Sequence, residues 1–371
     1  MSTRFILRVL LKGAFLFVLC NLAFSSTNSL PALGRISAYN RIFPGRMRLP
    51  YSDNPQRAYN LSLYNLEAMF ASHEISAGEK SPDEFRVLLI GDSATWGFYL
   101  KPDEALSAFM NASATRLPDG SHLRVYNLGY PVMSLAKDAL IFSYAMRYQP
   151  DLIVWLVTLE SLPYDKQLFP PLVQNNAVDM RELIQTHHLR LNPEDPGLVD
   201  PTILQRSVIG QRRAIADLVR LQLYGVLWAA TGIDQDIPDE IPQRMEDLPN
   251  DLSFHNLQPP LHSQDLAFDI LQAGVDLAGE TPVLIINEPM FISHGENSHI
   301  RYNFFYPRWA YDDYRRLLSQ ECIRKGWLCR DDWDGVSSEE FTNTAIHMNP
   351  AGSARFAEWV RKSILEVVGV N

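Results

Sequence analysis

The chain is poor in cysteine, with three in 371 residues, and none of their spacings matches a zinc-binding pattern. It also lacks an excess of positive charge, since the net charge is −10 at pH 7 and a surface that binds nucleic acid needs to be basic. No internal repeat is visible. We therefore expect no metal, no cofactor and no nucleic-acid partner. What remains is ordinary globular composition, 46% hydrophobic and 20% charged, with room for one large domain or two smaller ones.

The cysteines divide into one near the N-terminus and two near the C-terminus. Cys20 lies in an apolar stretch, whereas Cys322 and Cys329 flank a predicted helix end at Gly326 and a predicted strand from Trp327. A helix that returns into a strand can bring two cysteines within bridging distance, and a disulfide suits an oxidising compartment. Two separate buried thiols fit the pattern nearly as well.

Residues 1–28 have the layout of a secretory signal or a signal anchor. An apolar run from Gly13 to Phe24 follows three basic residues, Arg4, Arg8 and Lys12. The run is shorter than the roughly 20 residues of a membrane span. If the span is extended toward the N-terminus to include the basic residues, it is long enough to cross a membrane, provided that those side chains reach the cytoplasmic interface. We expect export, with the protein either secreted or held by this segment in a membrane and facing outward; a soluble amphipathic helix is the alternative.

Two further regions follow along the chain. Residues 29–84 contain several prolines and a serine-rich start, and we interpret them as a stalk and an N-terminal arm. From residue 85 to 371, apolar runs that end in glycine or polar residues alternate with helical patterns. This alternation predicts an α/β fold with a doubly wound parallel sheet. The predicted strands cover 86–91, 123–129, 152–158, 282–288 and 327–331. The predicted helices cover about 103–115, 135–148, 306–325 and 351–368.

One part of this domain breaks the alternation. Residues from about 162 to 280 hold many prolines and leucine-rich stretches but no clear strand. We predict a helical insertion that covers the functional edge of the sheet, where loops often shape a substrate site.

The first predicted strand ends in Gly91-Asp92-Ser93. In open α/β sheets the chemistry gathers just beyond the carboxyl ends of the strands, so a serine there can project its hydroxyl at a substrate. Its backbone N–H can also point at a substrate oxygen. The same three residue types favour a tight turn, and taken alone the two interpretations are equal.

His347 favours the interpretation of Ser93 as a nucleophile over that of a simple turn. It lies just before the last helix, whose start is marked by Asn349 and Pro350, and therefore at the same sheet edge as Ser93. A serine hydroxyl needs an adjacent base to become a nucleophile, and a neutral imidazole suits that role. Gly129 ends the second strand at this edge, and its N–H is predicted to join that of Ser93 in an oxyanion hole.

These residues resemble the GDSL/SGNH hydrolase superfamily. The resemblance rests on Gly91-Asp92-Ser93, the turn at Asn127–Gly129 and His347, and it covers residues 85–160 and 280–371. With Trp96-Gly97 included, the pattern looks like a cell-surface subgroup related to the alginate O-acetylation proteins. The resemblance implies a flavodoxin-like sheet, a serine nucleophile, a histidine base, and ester hydrolysis or acyl transfer.

Two departures from the family pattern concern the site. Where the family has Gly-x-Asn-Asp after the third strand, this chain has Thr158-Leu-Glu-Ser161, so that Glu160 replaces the oxyanion-binding asparagine. A carboxylate cannot donate a hydrogen bond unless it is protonated. Either Thr158 donates instead, or burial raises the pKa of Glu160 and lets it act as an acid.

The second departure is Thr344, which stands where the family has the aspartate that orients the histidine. Asn343 is the neighbouring candidate for this role, and a backbone carbonyl is another. Acidic side chains are also nearby in the sequence: Asp331, Asp332, Asp334 and Glu340. Asp92 and Asn287, which follow the first and fourth strands, and Glu160 are further candidates for orienting or substrate-contacting roles.

The leading hypothesis is an exported serine esterase or O-acyltransferase that acts on a small acyl ester, with a surface glycan as the carrier. The glycan and the acyl group rest on the resemblance alone. The alternative is a non-catalytic protein on the same fold, which binds a glycan or serves in assembly.

Overall fold

The structure is a computed structural model that describes residues 2–27, 29–43, 45–52, 60–231, 241 and 243–369. The chain divides into two compact units. The N-terminal unit comprises Met1–Arg46, Ser52–Ala77 and Val199–Asp234. The sheet unit comprises Met47–Tyr51, Gly78–Leu198 and Gln235–Asn371.

The sheet unit is built on five parallel strands. They are β1 (Glu84–Ile90), β2 (His122–Asn127), β3 (Leu152–Val157), β4 (Val283–Asn287) and β5 (Leu328–Asp331). Their order across the sheet is β2-β1-β3-β4-β5, and every neighbouring pair is parallel. This is the flavodoxin-like order: β2 is added on one side of β1, and the later strands β3, β4 and β5 are added in turn on the other side. The predicted α/β fold is confirmed.

The strands form where the sequence has continuous apolar runs. All six residues of β3 and all five of β4 are buried, because helices cover both faces of a parallel sheet. Val87, Val154 and Ile286 project into one shared core, which the last helix completes with Phe356 and Val360.

The helices are, in chain order, α1 (Thr3–Ser26), α2 (Ser29–Gly34), α3 (Leu66–Ala71), α4 (Ser93–Trp96), α5 (Leu106–Ala112), α6 (Leu135–Ala145), α7 (Pro171–Asn175), α8 (Ala177–Thr186), α9 (Ile203–Arg206), α10 (Arg212–Thr231), α11 (Phe268–Ala278), α12 (Arg308–Lys325) and α13 (Pro350–Val367). Short 3₁₀ turns occupy Tyr39–Arg41, Leu61–Leu63, Glu74–Ser76, Pro102–Glu104, Met146–Tyr148, Leu159–Ser161, Tyr164–Lys166, Ser263–Asp265 and Ser338–Glu340. Within the described part of 162–280, the chain is helical or irregular, and Val199–Asp234 belongs to the N-terminal unit; residues 232–240 and 242 lie outside the described residues.

Two features bear on where the protein resides. Among the described residues, α1 is the helix long and apolar enough to cross a membrane, and a signal sequence passes the same test of length and composition. In the sheet unit, Cys322 near the end of α12 and Cys329 on β5 form a disulfide with their Cα atoms 6.2 Å apart. Cys20 is free and exposed on α1.

Candidate active site

Ser93 is held at the carboxyl end of β1 as the first residue of α4. Asp92 caps this short helix, because its carboxylate accepts the N–H of Ala94 at 2.8 Å. The first N–H groups of a helix have no partner within the helix. The N–H of Ser93 has no acceptor among the residues that the structure describes, so it is free to meet a substrate oxygen.

Two glycines make room for α4. A Cβ atom at Gly91 would overlap the Thr95 hydroxyl, and one at Gly129 would lie 2.6 Å from the backbone nitrogen of Trp96. Asn127 fastens the same contact, since its amide group donates to the Thr95 carbonyl at 2.9 Å. The glycines that end the first two predicted strands are therefore needed for close packing of the helix that carries Ser93.

His347 lies in a folded loop that precedes α13. The loop closes through the bridge between Phe341 and Met348, and the N–H of Thr342 donates to the carbonyl of His347 at 2.7 Å. The Thr344 hydroxyl accepts the backbone N–H of His347 at 3.2 Å. Thr344 therefore supports the backbone of His347, and the ring is oriented by a different residue.

The structure brings Ser93, His347 and Asn343 into one hydrogen-bonded row. The Ser93 Oγ lies 2.8 Å from His347 Nε2, across 254 positions of sequence. On the other side of the ring, Nδ1 lies 3.0 Å from Asn343 Oδ1. Ser93 and His347 are 9% and 8% exposed, so a substrate can reach the pair while bulk water is largely excluded.

The partners of Asn343 determine the tautomer of the imidazole. The Asn343 Nδ2 donates to the Tyr99 hydroxyl at 3.2 Å, which leaves Oδ1 to face the ring as an acceptor. His347 Nδ1 must then carry the proton, and Nε2 is left as the acceptor for the Ser93 hydroxyl. This is the arrangement that a general base requires.

The surroundings of the ring keep it neutral. Burial lowers the pKa of His347 from 6.5 to about 4. Phe98 stacks on the imidazole with ring centroids 4.9 Å apart, and Tyr99 meets its edge at 5.8 Å. Tyr99 has a φ of 66°, a strained conformation for a residue other than glycine that often marks a functional site.

Arg48 stabilises the loop that carries Phe98 and Tyr99. Its guanidinium donates to the carbonyls of Gly97 and Leu100 at 2.8 and 3.0 Å, and it lies 4.1 Å from the centre of the Trp96 ring. Arg48 is 1% exposed, and its contacts fix the path of the chain from α4 through Tyr99.

Comparison with solved structures finds similar chains at low sequence identity. Three of the solved structures to which the chain is similar are a carbohydrate acetylesterase family member from Sinorhizobium meliloti, a catalytic mutant of an acetylxylan esterase from Geobacillus stearothermophilus, and the aryl esterase of M. smegmatis. Their identities to this chain are 11%, 10% and 11%, and their TM-scores are 0.33, 0.37 and 0.34. The alignments cover 76%, 77% and 76% of this chain and 99%, 95% and 98% of the other.

The strand order, with Ser93 after β1 and His347 before α13, is the arrangement that the resemblance to the GDSL/SGNH hydrolases implies. The identities and TM-scores of the similar solved structures are too low to carry an argument about fold or activity. No family model and no curated protein matches the sequence.

The structure places the other predicted oxyanion donors differently from expectation. The N–H of Gly129 donates to Asn127 Oδ1 at 3.0 Å and is thus already in use. The Thr158 hydroxyl is paired with the Tyr306 hydroxyl at 2.9 Å. Of the three predicted donors, the N–H of Ser93 is the one without an acceptor among the described residues.

Glu160 belongs to a separate charged cluster. Its carboxylate pairs with Lys166 and with His255 Nε2, the latter at 3.1 Å. Burial acts to lower the pKa of His255, but hydrogen bonds to Glu160 and Asp165 outweigh it and raise the pKa. The carboxylate of Glu160 is thus engaged by Lys166 and His255.

The remaining candidates for orienting His347 have other partners. Asn287 donates to Asp331 at 2.8 Å and accepts from the hydroxyls of Tyr311 and Tyr314 at 3.3 and 3.0 Å, so that its amide ties β4 to β5 and α12. Asp331 also pairs with Arg315, and Glu340 pairs with Arg355.

Beneath Ser93 lies a buried ionic group that the sequence did not reveal. Asp92 and Glu288 lie close enough in the buried interior to affect each other's ionisation, and neither carboxyl oxygen of Glu288 has a hydrogen-bond partner among the described residues. Lys137 is wholly buried beside Asp138 and donates to the carbonyl of Gly91 at 2.8 Å. Burial raises the pKa of Asp92 to about 6 and raises that of Glu288 well above its usual range, with the charge of Asp92 adding to the effect. Glu288 is therefore the protonated member of the pair.

Sequence reasoning missed Arg48, Phe98, Tyr99 and Lys137 as parts of the site. The aromatic pair directly after Gly97 was the available signal. Among the described residues, no group of three or more histidine, cysteine or acidic side chains is arranged to hold a metal ion.

Proposed function

We propose that this protein is a serine esterase or O-acyltransferase that uses Ser93, His347 and Asn343. The observation that carries the proposal is the distance of 2.8 Å between Ser93 Oγ and His347 Nε2, with the ring oriented from its other side by an amide oxygen. An asparagine fills the orienting role in the Cys-His-Asn sites of other enzymes, so a carboxylate is not required.

The first half of the reaction forms an acyl-enzyme. Ser93 Oγ attacks the carbonyl carbon of the ester while its proton passes to His347 Nε2, and the N–H of Ser93 donates to the oxygen that becomes negative. When the tetrahedral intermediate collapses, the bond from the carbon to the leaving oxygen breaks. His347 returns the proton to that oxygen, and an alcohol departs.

The second half removes the acyl group. His347 takes a proton from water or from a sugar hydroxyl, whose oxygen then attacks the acyl carbon. The bond to Ser93 Oγ breaks and the serine recovers its proton from His347. Water yields a carboxylic acid and a hydroxyl yields a new ester, so hydrolysis and acyl transfer differ only in the acceptor.

We assign the substrate to a small acyl ester on a surface glycan and the location to the outer side of a membrane. The resemblance of the motifs to cell-surface acetylation proteins supports the glycan. The disulfide fits an oxidising compartment, and α1 fits a signal or an anchor.

The test is turnover of p-nitrophenyl acetate by the full chain in a mild detergent. Ser93→Ala should lower kcat by about 10³-fold or more, because loss of a triad nucleophile costs up to about 10⁶. The matched control is Ser121→Ala, at the opposite end of the sheet just before β2. Equal rates for wild type and Ser93→Ala would end the enzyme proposal and leave glycan binding as the function.

A further inference from the structure

The N-terminal unit contains a helix that is apolar on both sides. On one side of α10, Leu218 and Leu221 are buried. On the other side Val219, Leu223 and Leu227 recur every four residues and are 52%, 69% and 57% exposed. A helix with apolar residues all round is normally buried on all sides or faces lipid.

The short helix α9 extends this exposed apolar surface and is attached to α1. Its residues Ile203 and Leu204 are 62% and 70% exposed. The Ser25 hydroxyl donates to the carbonyl of Ile203 at 2.6 Å. The N–H of Ile209, just after α9, donates to the side chain of Asn21 at 3.2 Å. These two bonds hold α9 against the last two turns of α1.

The length of α1 indicates the depth at which α9 lies in the membrane. Arg4, Arg8 and Lys12 occupy its first half, so the charge-free part runs from Gly13 to Ser26. At 1.5 Å per residue this part rises about 20 Å, less than the hydrocarbon core of about 30 Å. If the basic side chains reach the inner interface, the last turns of α1 are still within the outer leaflet, and so is the chain bound to them.

We propose that α9 and α10 form a second membrane contact, with their exposed apolar side chains inserted into the outer leaflet beside α1. The helix α10 has the composition of an interfacial helix: an apolar stripe, neighbouring rings of Tyr224 and Trp228, and three arginines, two of which pair with Asp217 on the same helix. The arginines are Arg212, Arg213 and Arg220. The contact rests on retention of α1 as an anchor, which is part of the proposed function, and is independent of catalysis at Ser93.

A lipid surface is favoured over a second copy of the chain or another protein because of the attachment of α9 to α1. Any chain hydrogen-bonded to Asn21 and Ser25 must share the environment of those residues. When α1 spans the bilayer, that environment at the level of Ile203 and Leu204 is lipid.

The experiment places one probe at a time on the full chain in vesicles of phosphatidylcholine and phosphatidylglycerol. Nitroxide labels are attached at Leu223→Cys and Leu227→Cys in a Cys20→Ser background. The matched control is Val178→Cys on α8, an apolar position that is 62% exposed in the sheet unit. A label on the native Cys20 reports whether α1 itself is in the bilayer. Accessibility to dissolved oxygen is compared with accessibility to a water-soluble nickel chelate.

We expect the labels at 223 and 227 to be several-fold more accessible to oxygen than to nickel, with the reverse at 178. Equal nickel accessibility at all three positions would overturn the proposal. Labels at 223 and 227 shielded from both reagents would also overturn it, in favour of a protein partner. A Cys20 label that stays in water would show that α1 is not a membrane anchor, and the second membrane contact would fail with it. Esterase activity is measured separately in the same vesicles.

Discussion

At the scale of single residues, Asn343 lies beside Nδ1 of His347, one residue before the position where the family pattern would place a carboxylate. The family pattern places a carboxylate at position 344, where this chain has a threonine. The amide of Asn343 reaches the ring from one residue earlier, because Thr344 turns inward to bond the backbone of His347. An uncharged partner fixes the direction of the ring but does not raise its basicity.

The first prediction concerns Asn343. Asn343→Ala should lower kcat by up to about 10⁴-fold with little change in KM, since loss of the orienting residue leaves the imidazole in the wrong tautomer. Asn343→Asp should retain much of the activity but alter its pH dependence. Steady-state kinetics with p-nitrophenyl acetate measures both, and Asn175→Ala on the exposed end of α7 is the control. Unchanged kcat in Asn343→Ala would show that the amide does not orient the ring.

The pH dependence follows from the buried, neutral imidazole. The base must be unprotonated, so activity is present above the pKa of His347 and is lost as the pH falls through about 4. In Asn343→Asp an adjacent carboxylate favours the imidazolium and raises that pKa. We expect the acid limb of kcat/KM to lie near pH 4 in the wild type and to move toward neutral pH in the variant. Identical acid limbs would contradict this account.

The second residue-scale prediction concerns the buried pair of Asp92 and Glu288. Both folded-state pKa values are raised, so the stabilisation is fully present below the unfolded values near 4 and is lost as the pH rises through about 6 and above. Lys137 and Asp138 face the same pair and partly cancel each other's charge. The free energy of unfolding should therefore decline from about pH 4 upward, through pH 6 as Asp92 ionises and above pH 6 as Glu288 does.

Glu288→Gln keeps a hydrogen-bond donor beside Asp92 but has no proton to release. The decline in unfolding free energy above pH 6 should be smaller than in the wild type, because the variant has no proton to release at this position. Urea unfolding at pH 6, 7.5 and 9 measures this. Glu280→Gln, at an exposed position before β4, should leave the decline unchanged. A decline as steep in Glu288→Gln as in the wild type would show that Glu288 does not hold the proton that is released in this pH range.

At the scale of secondary-structure elements, the features that depend on local sequence pattern, above all the strands, could be predicted from the sequence. The five strands are continuous apolar runs, and the serine and histidine follow from their place at strand ends. The predicted helix at 103–115 is in fact a 3₁₀ turn, Pro102–Glu104, followed by α5. What the sequence could not predict are contacts between distant segments, such as Arg48 with Gly97 and Asn343 with Tyr99. These depend on how whole elements pack, and periodicity does not encode that packing.

The oxyanion role predicted for Gly129 also depends on a contact that the sequence pattern does not encode. Position and residue type were right for a free N–H, but the nearby Asn127 side chain competes for it, as asparagine often does in turns. The glycine instead serves the packing of α4, where the nearest backbone leaves no space for a side chain.

This role of Gly129 leads to a prediction about α4. Gly129→Ala would place a Cβ atom 2.6 Å from the Trp96 nitrogen, so α4 must shift. We expect a loss of about 1–3 kcal/mol in stability, typical of overpacking, together with a fall in kcat as Ser93 moves away from His347. Thermal unfolding and kinetics measure the two effects. Gly78→Ala, where no atom lies within 4 Å of the added carbon, is the control. A variant with wild-type kcat would show that α4 tolerates the added carbon in place.

At the scale of the whole molecule, the disulfide and α1 both bear on where the protein works. A disulfide persists in an oxidising compartment and is rare where glutathione keeps thiols reduced. The basic residues at the start of α1 favour a cytoplasmic N-terminus, which directs the rest of the chain outward. An outward-facing sheet unit would meet the oxidising conditions that its cysteine pair needs.

The bond between Cys322 and Cys329 closes a loop of eight residues between α12 and β5. Chain-entropy arguments give a loop of this size about 2–3 kcal/mol of stabilisation, because cross-linking restricts the unfolded chain. Dithiothreitol should therefore lower the unfolding midpoint of the wild type and leave that of Cys322→Ser/Cys329→Ser, already lower, unchanged. Thiol labelling of unreduced protein from the exporting cell should detect Cys20 alone. Three reactive thiols in that protein would place the sheet unit in a reducing compartment and contradict export.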